Sequence, residues 1–392
     1  MTLSVARRFG NIEESATFAV ADMVKRLKAE GQPVWDLGGG DPDFDTAEPI
    51  IRAAEKAMEE GFTHYVASRG IPELRKAIAR KLEDDNGLEY NPDRDIIVTP
   101  SAKHALYITL LTILDPEDEI VIPAPSWVSY EAIVNLIGAT PRLVGLNFDD
   151  GYRITLEALE RVASKKTKAI LLNSPNNPTG RVMTKGESEV VAAFAREHDI
   201  FIISDEIYEK IRYDDRDHIS LGAMDGCFDR TITINGFSKA FAMTGWRLGY
   251  LAGPAHVVSE AVKAQQHTVG CAGSFTQRAA VAALEAPPTI VTDMVEEYDR
   301  RRRIVAEALD VIPGIECPTP EGAFYVFPRV SGLGFDSSAA FSSWLIGEAG
   351  VAVTPGSAFG PGGDGHIRIS YANSQQVLRE AVERIGEAVA RR

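Results

Sequence analysis

The chain has 392 residues, with 41 Lys plus Arg against 56 Asp plus Glu, a formal charge of −15. Its 45% apolar and 25% charged content is that of a globular chain, long enough for two or three structural units that need neither disulfides nor metal to hold a core. The acidic balance argues against nucleic acid or an anionic membrane as partner, and no apolar run approaches the roughly 18 residues of a membrane helix.

Residues 1–10 carry Arg7 and Arg8 but no apolar stretch or cleavage site, which does not read as a signal peptide. A helix is expected at about 15–30. Five short runs follow, apolar on both faces or nearly so: 96–99, 120–122, 169–172, 200–203 and 231–234. Such runs suit strands buried between two helix layers. Helical patterns at about 102–114, 127–137, 155–164 and 185–197 separate them, so the expected fold is α/β with a mostly parallel sheet. From Pro287-Pro288 a long helical pattern runs to about Asp310, with Glu296, Glu297 and Asp299 four residues before Arg300, Arg301 and Arg303. That basic run reads as a solvated, ion-paired helix face. Strands are expected at 323–326 and 366–370, and Ser374 is placed to cap a last helix. The division expected is 46–287 as a large domain, 288–309 as a connecting helix, and 1–45 with 310–392 as a small α+β domain. Cys227, Cys271 and Cys317 are scattered, match no metal-ligand spacing and suggest a reducing compartment, hence the cytoplasm.

Ligands of parallel α/β sheets sit beyond the carboxyl ends of the strands. After 169–172 comes a segment with Asn177, after 200–203 come Asp205 and Tyr208, and after 231–234 come Ser238 and Lys239. After 96–99, Ser101-Ala102-Lys103 opens a helix. Alone, Asn177 reads more readily as a turn residue, Asp205 as a cap, Lys239 as a surface lysine and Trp127 as core. Together they suit pyridoxal 5′-phosphate. That cofactor needs an amine for a Schiff base, a carboxylate for its ring nitrogen, donors for its ring oxygen, and a helix N-terminus with an arginine for its phosphate.

The stretch from Ser238-Lys239-Ala240 to Gly245-Trp246-Arg247-Leu248-Gly249-Tyr250 resembles the cofactor-lysine signature of class I/II aminotransferases, enzymes of fold type I. Asn176-Asn177-Pro178-Thr179-Gly180, Ser204-Asp205-Glu206-Ile207-Tyr208, Gly322-Ala323-Phe324-Tyr325 and Arg368-Ile369-Ser370-Tyr371 are similar to that family's patterns in order and spacing. The prokaryotic branch of aspartate aminotransferases is the nearest likeness. The resemblance implies transamination between an amino acid and a 2-oxo acid by a ping-pong cycle. It gives Lys239 the covalent link and proton shuttling, Asp205 the ring nitrogen, Tyr208 and Asn177 the ring oxygen, and Trp127 the ring face. Arg247, Ser238, Ser101, Ala102 and Lys103 would hold the phosphate. Arg368 would grip the substrate α-carboxylate, with Gly40, Trp127 and Asn177 beside it. Tyr65 would reach the phosphate of a neighbouring subunit, which requires a homodimer.

This sequence departs from the family pattern at some points. Gly236 stands where many relatives have Ser, and 265–277 contains no Arg that could take a distal carboxylate. Lys103 could take that role or serve the phosphate. Arg69 is not placed by the family pattern and reads equally as a residue that alters specificity or as one that is simply exposed. A lyase reaction on the same cofactor is an alternative; a nucleotide-binding regulator is a more distant one, since neither Gly38-Gly39-Gly40 nor 360–365 has a dinucleotide-binding context. No metal is expected.

Overall fold

The computed structural model describes residues 5, 6, 9, 10, 12 and 14–392; Arg7 and Arg8 of the N-terminal stretch lie outside the described residues. In chain order the strands are β1 (Trp35–Asp36), β2 (Ile96–Thr99), β3 (Glu119–Ala124), β4 (Thr140–Gly145), β5 (Thr167–Asn173), β6 (Phe201–Asp205), β7 (Thr231–Gly236), β8 (Gly249–Ala252), β9 (Tyr325–Val326), β10 (Val351–Ala352), β11 (Thr354–Pro355) and β12 (Ile367–Ser370).

Seven of them form the central sheet, in the order β2-β8-β7-β6-β5-β3-β4. All neighbours are parallel except β8, which runs antiparallel to both β2 and β7. β2, β3, β7 and β8 are buried at every position, as continuous apolar runs between helix layers should be. One face packs Leu106, Ile108 and Val258; the other packs Val191, Phe194 and Ala195.

All five expected strands form. β4 and β8 carry no comparable run: Pro141 and Arg142 interrupt the first, an edge strand, and glycines bracket the second. The helix expected at 155–164 is only Leu156–Glu160. The strand expected from Ala323 begins at Tyr325, because Ala323 has φ +55°. Ser374 caps the helix Gln375–Ala390 as expected, accepting from the Val377 amide at 3.3 Å.

A separate cluster joins Val305 and Leu309 of the helix Thr289–Asp310 to Phe324, Phe341, Leu345, Ile369 and Ile385. Within that helix the basic run is not all solvated. Arg301 and Arg302 are buried. Arg302 donates to Asp299 at 2.5 Å, to the Pro320 carbonyl at 2.7 Å and to Asp214 at 2.6 Å, and stacks 4.4 Å from the Tyr213 ring. The spacing marked the ion pairs, but Asp214 arrives from a distant loop. Among the described residues no helix is long and apolar enough to cross a membrane.

Candidate active site

A cavity of about 560 Å³ opens beyond the carboxyl ends of β5, β6 and β7. Every site residue expected from the sequence lines it except Tyr65: Gly40, Ser101, Ala102, Lys103, Trp127, Asn177, Asp205, Tyr208, Ser238, Lys239, Arg247 and Arg368. Tyr65 is 94% exposed and lies outside this chain's cavity. Arg69 also lies outside it and donates to the Arg94 carbonyl at 2.8 Å.

Lys239 follows β7 and donates from Nζ to the Gly40 carbonyl at 2.6 Å. Burial pushes its amine down to about 8, and the cations of Arg368, Arg247 and Lys103 add to this against the opposing pull of Asp41. Asp205 ends β6. Its Oδ2 accepts from the Tyr130 hydroxyl at 2.7 Å and its Oδ1 from the Ile207 amide at 3.2 Å. Burial pushes its carboxyl up to about 6 although those two bonds pull the other way. One residue on, Glu206 joins a different buried network with Ser204, Ser220, Asn86 and His218.

Arg368, on β12, is 1% exposed. Its Nη1 donates to Asn177 Oδ1 at 3.0 Å and its Nη2 to the Gly38 carbonyl at 2.7 Å; its Nε, buried, has no partner among the described residues. The glycine-rich turn at 38–40 thus serves two cations of the cavity through its carbonyls.

The helix Ala102–Ile113 starts after Ser101, whose hydroxyl accepts from the His104 amide at 3.1 Å. The first-turn amides of Ala102 and Lys103 are beyond the reach of any intrahelical carbonyl and can bind an anion. Gly249 of β8 packs against this turn: a Cβ there would come 2.3 Å from the Ala102 nitrogen, so only glycine lets the strand approach. Arg247, at the rim, has φ +53°, a left-handed conformation that costs an arginine energy and is characteristic of functional sites. Trp127 meets Tyr130 edge-on at 5.4 Å, and Lys103 Nζ lies 4.8 Å from the Trp127 ring.

Sequence reasoning gave no role to Tyr130, Asn173, Tyr325, Ser15, Thr17 or Phe18, all of which line the cavity. Asn173 carried a signal, since it ends a strand. It accepts from the Asn177 amide at 2.9 Å and donates to the Asp205 carbonyl at 2.9 Å, locking two strand ends together. Four cations converge on one cavity of an acidic protein, with a buried carboxylate at its floor. The charge of such a site suits a polyanion, and the lowered proton affinity of Lys239 suits proton exchange.

Comparison with known proteins agrees with this chemistry. The family model for aminotransferase class I and II matches residues 32–385. The chain is 50% identical to an aspartate aminotransferase of Musicola paradisiaca over 98% of this chain and 96% of that one. It is 45% identical to an aromatic-amino-acid aminotransferase of Thermococcus litoralis over 89% and 90%. Its structure matches aspartate aminotransferase from Thermus thermophilus with maleate at TM-score 0.94 and 38% identity, covering 99% of this chain and 100% of that one. Fold and site therefore define a transferase of fold type I. The chain belongs to the aminotransferase class I and II family and catalyses transfer of an amino group between an amino acid and a 2-oxo acid. These similarities favour transamination over the lyase and nucleotide-binding readings.

Proposed function

We propose that the cavity holds pyridoxal 5′-phosphate and that the enzyme transfers the amino group of aspartate or glutamate by a ping-pong cycle. The observation that carries this is the enclosure of Lys239, Asp205 and the open turn at Ala102 in one cavity. The residues fit the group. An amine with lowered proton affinity suits covalent attachment, a fully buried carboxylate suits a pyridinium, and a helix N-terminus freed by Gly249 suits a phosphate.

When bound, the cofactor supplies the electron sink that lets the α-proton of an amino acid leave. The protein supplies the rest. Lys239 would anchor the cofactor, and its Nζ, an amine of lowered proton affinity, could take up and return the α-proton. Asp205 holds a proton on the ring nitrogen, and Tyr130 keeps that carboxylate oriented. Tyr208 and Asn177 bond the ring oxygen, and Trp127 covers the ring. Ser101, the backbone amides of Ala102 and Lys103, Ser238 and Arg247 would hold the phosphate, completed by Tyr65 from a second subunit. The exposure of Tyr65 on its own chain supports that homodimer. Arg368 binds the α-carboxylate as a two-pronged donor near Gly40.

Aspartate is named because the relatives include aspartate aminotransferases and because Lys103 stands ready for a second carboxylate. The aromatic-amino-acid relative supports a second donor class, which Trp127 and Phe18 would accommodate. Within the same reading, 46–287 is the large domain, 288–309 its connection, and 1–45 with 310–392 the small domain, located with the whole enzyme in the cytoplasm. An apolar cluster built mainly from residues 294–388, joined by Leu37 and by Tyr208, Ile211 and Tyr213 of the large part, supports that division.

The test is to load purified protein with the cofactor and supply aspartate with 2-oxoglutarate. A visible absorbance band and formation of glutamate are expected. Protein that takes up no cofactor, or that releases ammonia without needing an oxo acid, overturns the proposal.

A further inference from the structure

Tyr325 lines the cavity and has no part in the scheme above. It lies on β9, opposite Ser370 of β12. Arg368 is two residues from Ser370 on the same strand, so its side chain leaves the same face as that of Ser370. The diagonal neighbours therefore meet, and the guanidinium carbon of Arg368 sits 4.5 Å from the Tyr325 ring centroid. The ring is 1% exposed, which strengthens a cation over its face. The hydroxyl of Tyr325 reaches the other way, 2.9 Å from the hydroxyl of Tyr208. It also fills the space over Gly40, where a Cβ would come within 2.8 Å of it.

Two phenols share one hydrogen bond here. If Tyr208 donated it to Tyr325, its own proton would be lost to a ring oxygen in the cavity. If Tyr325 donates, the proton of Tyr208 is free to point there. Burial raises the proton affinity of both phenols and the Arg368 cation opposes this in each, while their shared bond raises Tyr208 and lowers Tyr325. In the cofactor-free fold Tyr208 is therefore the donor, and a ring oxygen competing for its proton reverses the bond.

We propose that Tyr325 is a positioning residue that joins the two halves of the site: its hydroxyl donates to Tyr208, and its ring carries Arg368. This rests on the cofactor reading above and deepens it. Carboxylate binding at Arg368 then reaches the cofactor phenol through a single side chain.

The experiment uses the cofactor-loaded enzyme and two variants, with succinate, a dicarboxylate without an amino group, as probe. Tyr325→Phe keeps the ring and removes the hydroxyl. The pH midpoint of the visible band should shift by about half to one pH unit, as loss of one hydrogen bond implies, with succinate affinity within about twofold of wild type. Tyr325→Leu removes the ring, and succinate should bind about threefold to thirtyfold more weakly. A Tyr325→Phe midpoint equal to wild type overturns the link to Tyr208, whatever the fate of the leucine variant. Wild-type succinate affinity in Tyr325→Leu overturns the link to Arg368. A merely structural Tyr325 would lower stability and leave the midpoint in place. Wild-type protein with no visible band would instead refute the cofactor reading itself.

Discussion

Tyr130 donates its hydroxyl to Asp205 Oδ2 at 2.7 Å, across 75 residues of sequence and inside the core. The bond is charge-assisted and opposes the burial that, on balance, leaves the carboxyl raised to about 6. Tyr130 therefore keeps Asp205 ionised at neutral pH.

Tyr130→Phe should remove about 1.5–3 kcal/mol of stabilisation from the carboxylate, raising its pKa by about one to two units. Asp205 would then be roughly half to nine-tenths protonated at pH 7, and to that extent unable to pair with a pyridinium. Cofactor affinity should fall several-fold at pH 7 and recover as the pH is raised above 8. Equilibrium dialysis across that range would show this. An affinity with the same pH dependence as wild type would deny Tyr130 the role.

Lys239 should weaken the protein that it makes active. In the cofactor-free fold its amine falls from 10.5 to about 8, chiefly by burial. Below pH 8 both folded and unfolded chains carry the proton, and the folded state bears the full cost, about 3 kcal/mol. Between 8 and 10.5 the folded chain releases its proton first, so wild-type stability rises with pH. Lys239→Met keeps the bulk of the side chain and removes the charge. Cofactor-free Lys239→Met should be the more stable protein at pH 7, by a margin that closes above pH 10, and should have lost turnover. Urea unfolding of both proteins tests it, and a wild type as stable as the variant at pH 7 would contradict it.

The readable parts of this molecule are those where function sits at the end of a buried run. Asn177, Asp205 and Lys239 follow β5, β6 and β7, whose apolar composition announces them, so the sheet and half the site could be read directly. Tyr130 could not, because it looks like one more apolar residue of the helix Ser129–Ile137 and its partner lies on another element. Tyr325 stands in a recognisable motif, yet its use depends on how β9 pairs with β12. Arg302 was misread as solvated since helical spacing gives its nearby carboxylates but not the loop carbonyl and Asp214 that cover it. In each case the deciding contact is between elements and leaves no local period.

Glu187 sets part of the acid limit of the fold. It lies in the first turn of the helix Lys185–Glu197, in a capping box with Thr184. Burial disfavours its charge, but both Arg181 Nη atoms donate to it at 2.8 Å, joined by the amides of Ile154 at 2.9 Å and Thr184 at 3.0 Å. The outcome is a carboxyl lowered from 4.5 to about 2. Its stabilisation is complete above the unfolded value and is lost as the pH falls toward 2, a total of about 3 kcal/mol. Glu187→Gln should be less stable than wild type by about that amount at pH 7, and the gap should close as the pH approaches 2. A constant gap from pH 7 to pH 2 would remove Glu187 from the acid response.

Lys103 decides between donor classes. It occupies the first turn of the helix Ala102–Ile113, where a cation is unfavourable by about 0.3–1 kcal/mol unless an anion is near. No carboxylate pairs with it among the described residues; instead its Nζ faces the rings of Trp127 at 4.8 Å and Phe18 at 5.8 Å. Burial lowers its proton affinity, and Arg247 lowers it further. The Thr17 hydroxyl, buried and without a partner among the described residues, lines the same cavity. A cation without a counter-charge among the described residues, on the wall of the same cavity, suits the distal carboxylate of aspartate or glutamate while Arg368 holds the other one. Lys103→Met should then keep the cofactor and lose about 1.5–3 kcal/mol in kcat/KM for dicarboxylic donors, carried mainly by KM. For phenylalanine the loss should be small, because its side chain makes no use of the charge. If Lys103 serves the phosphate instead, the variant will retain cofactor poorly and lose rate equally with every donor. Steady-state kinetics with aspartate and phenylalanine, alongside cofactor retention on dialysis, separate the two roles in one set of measurements.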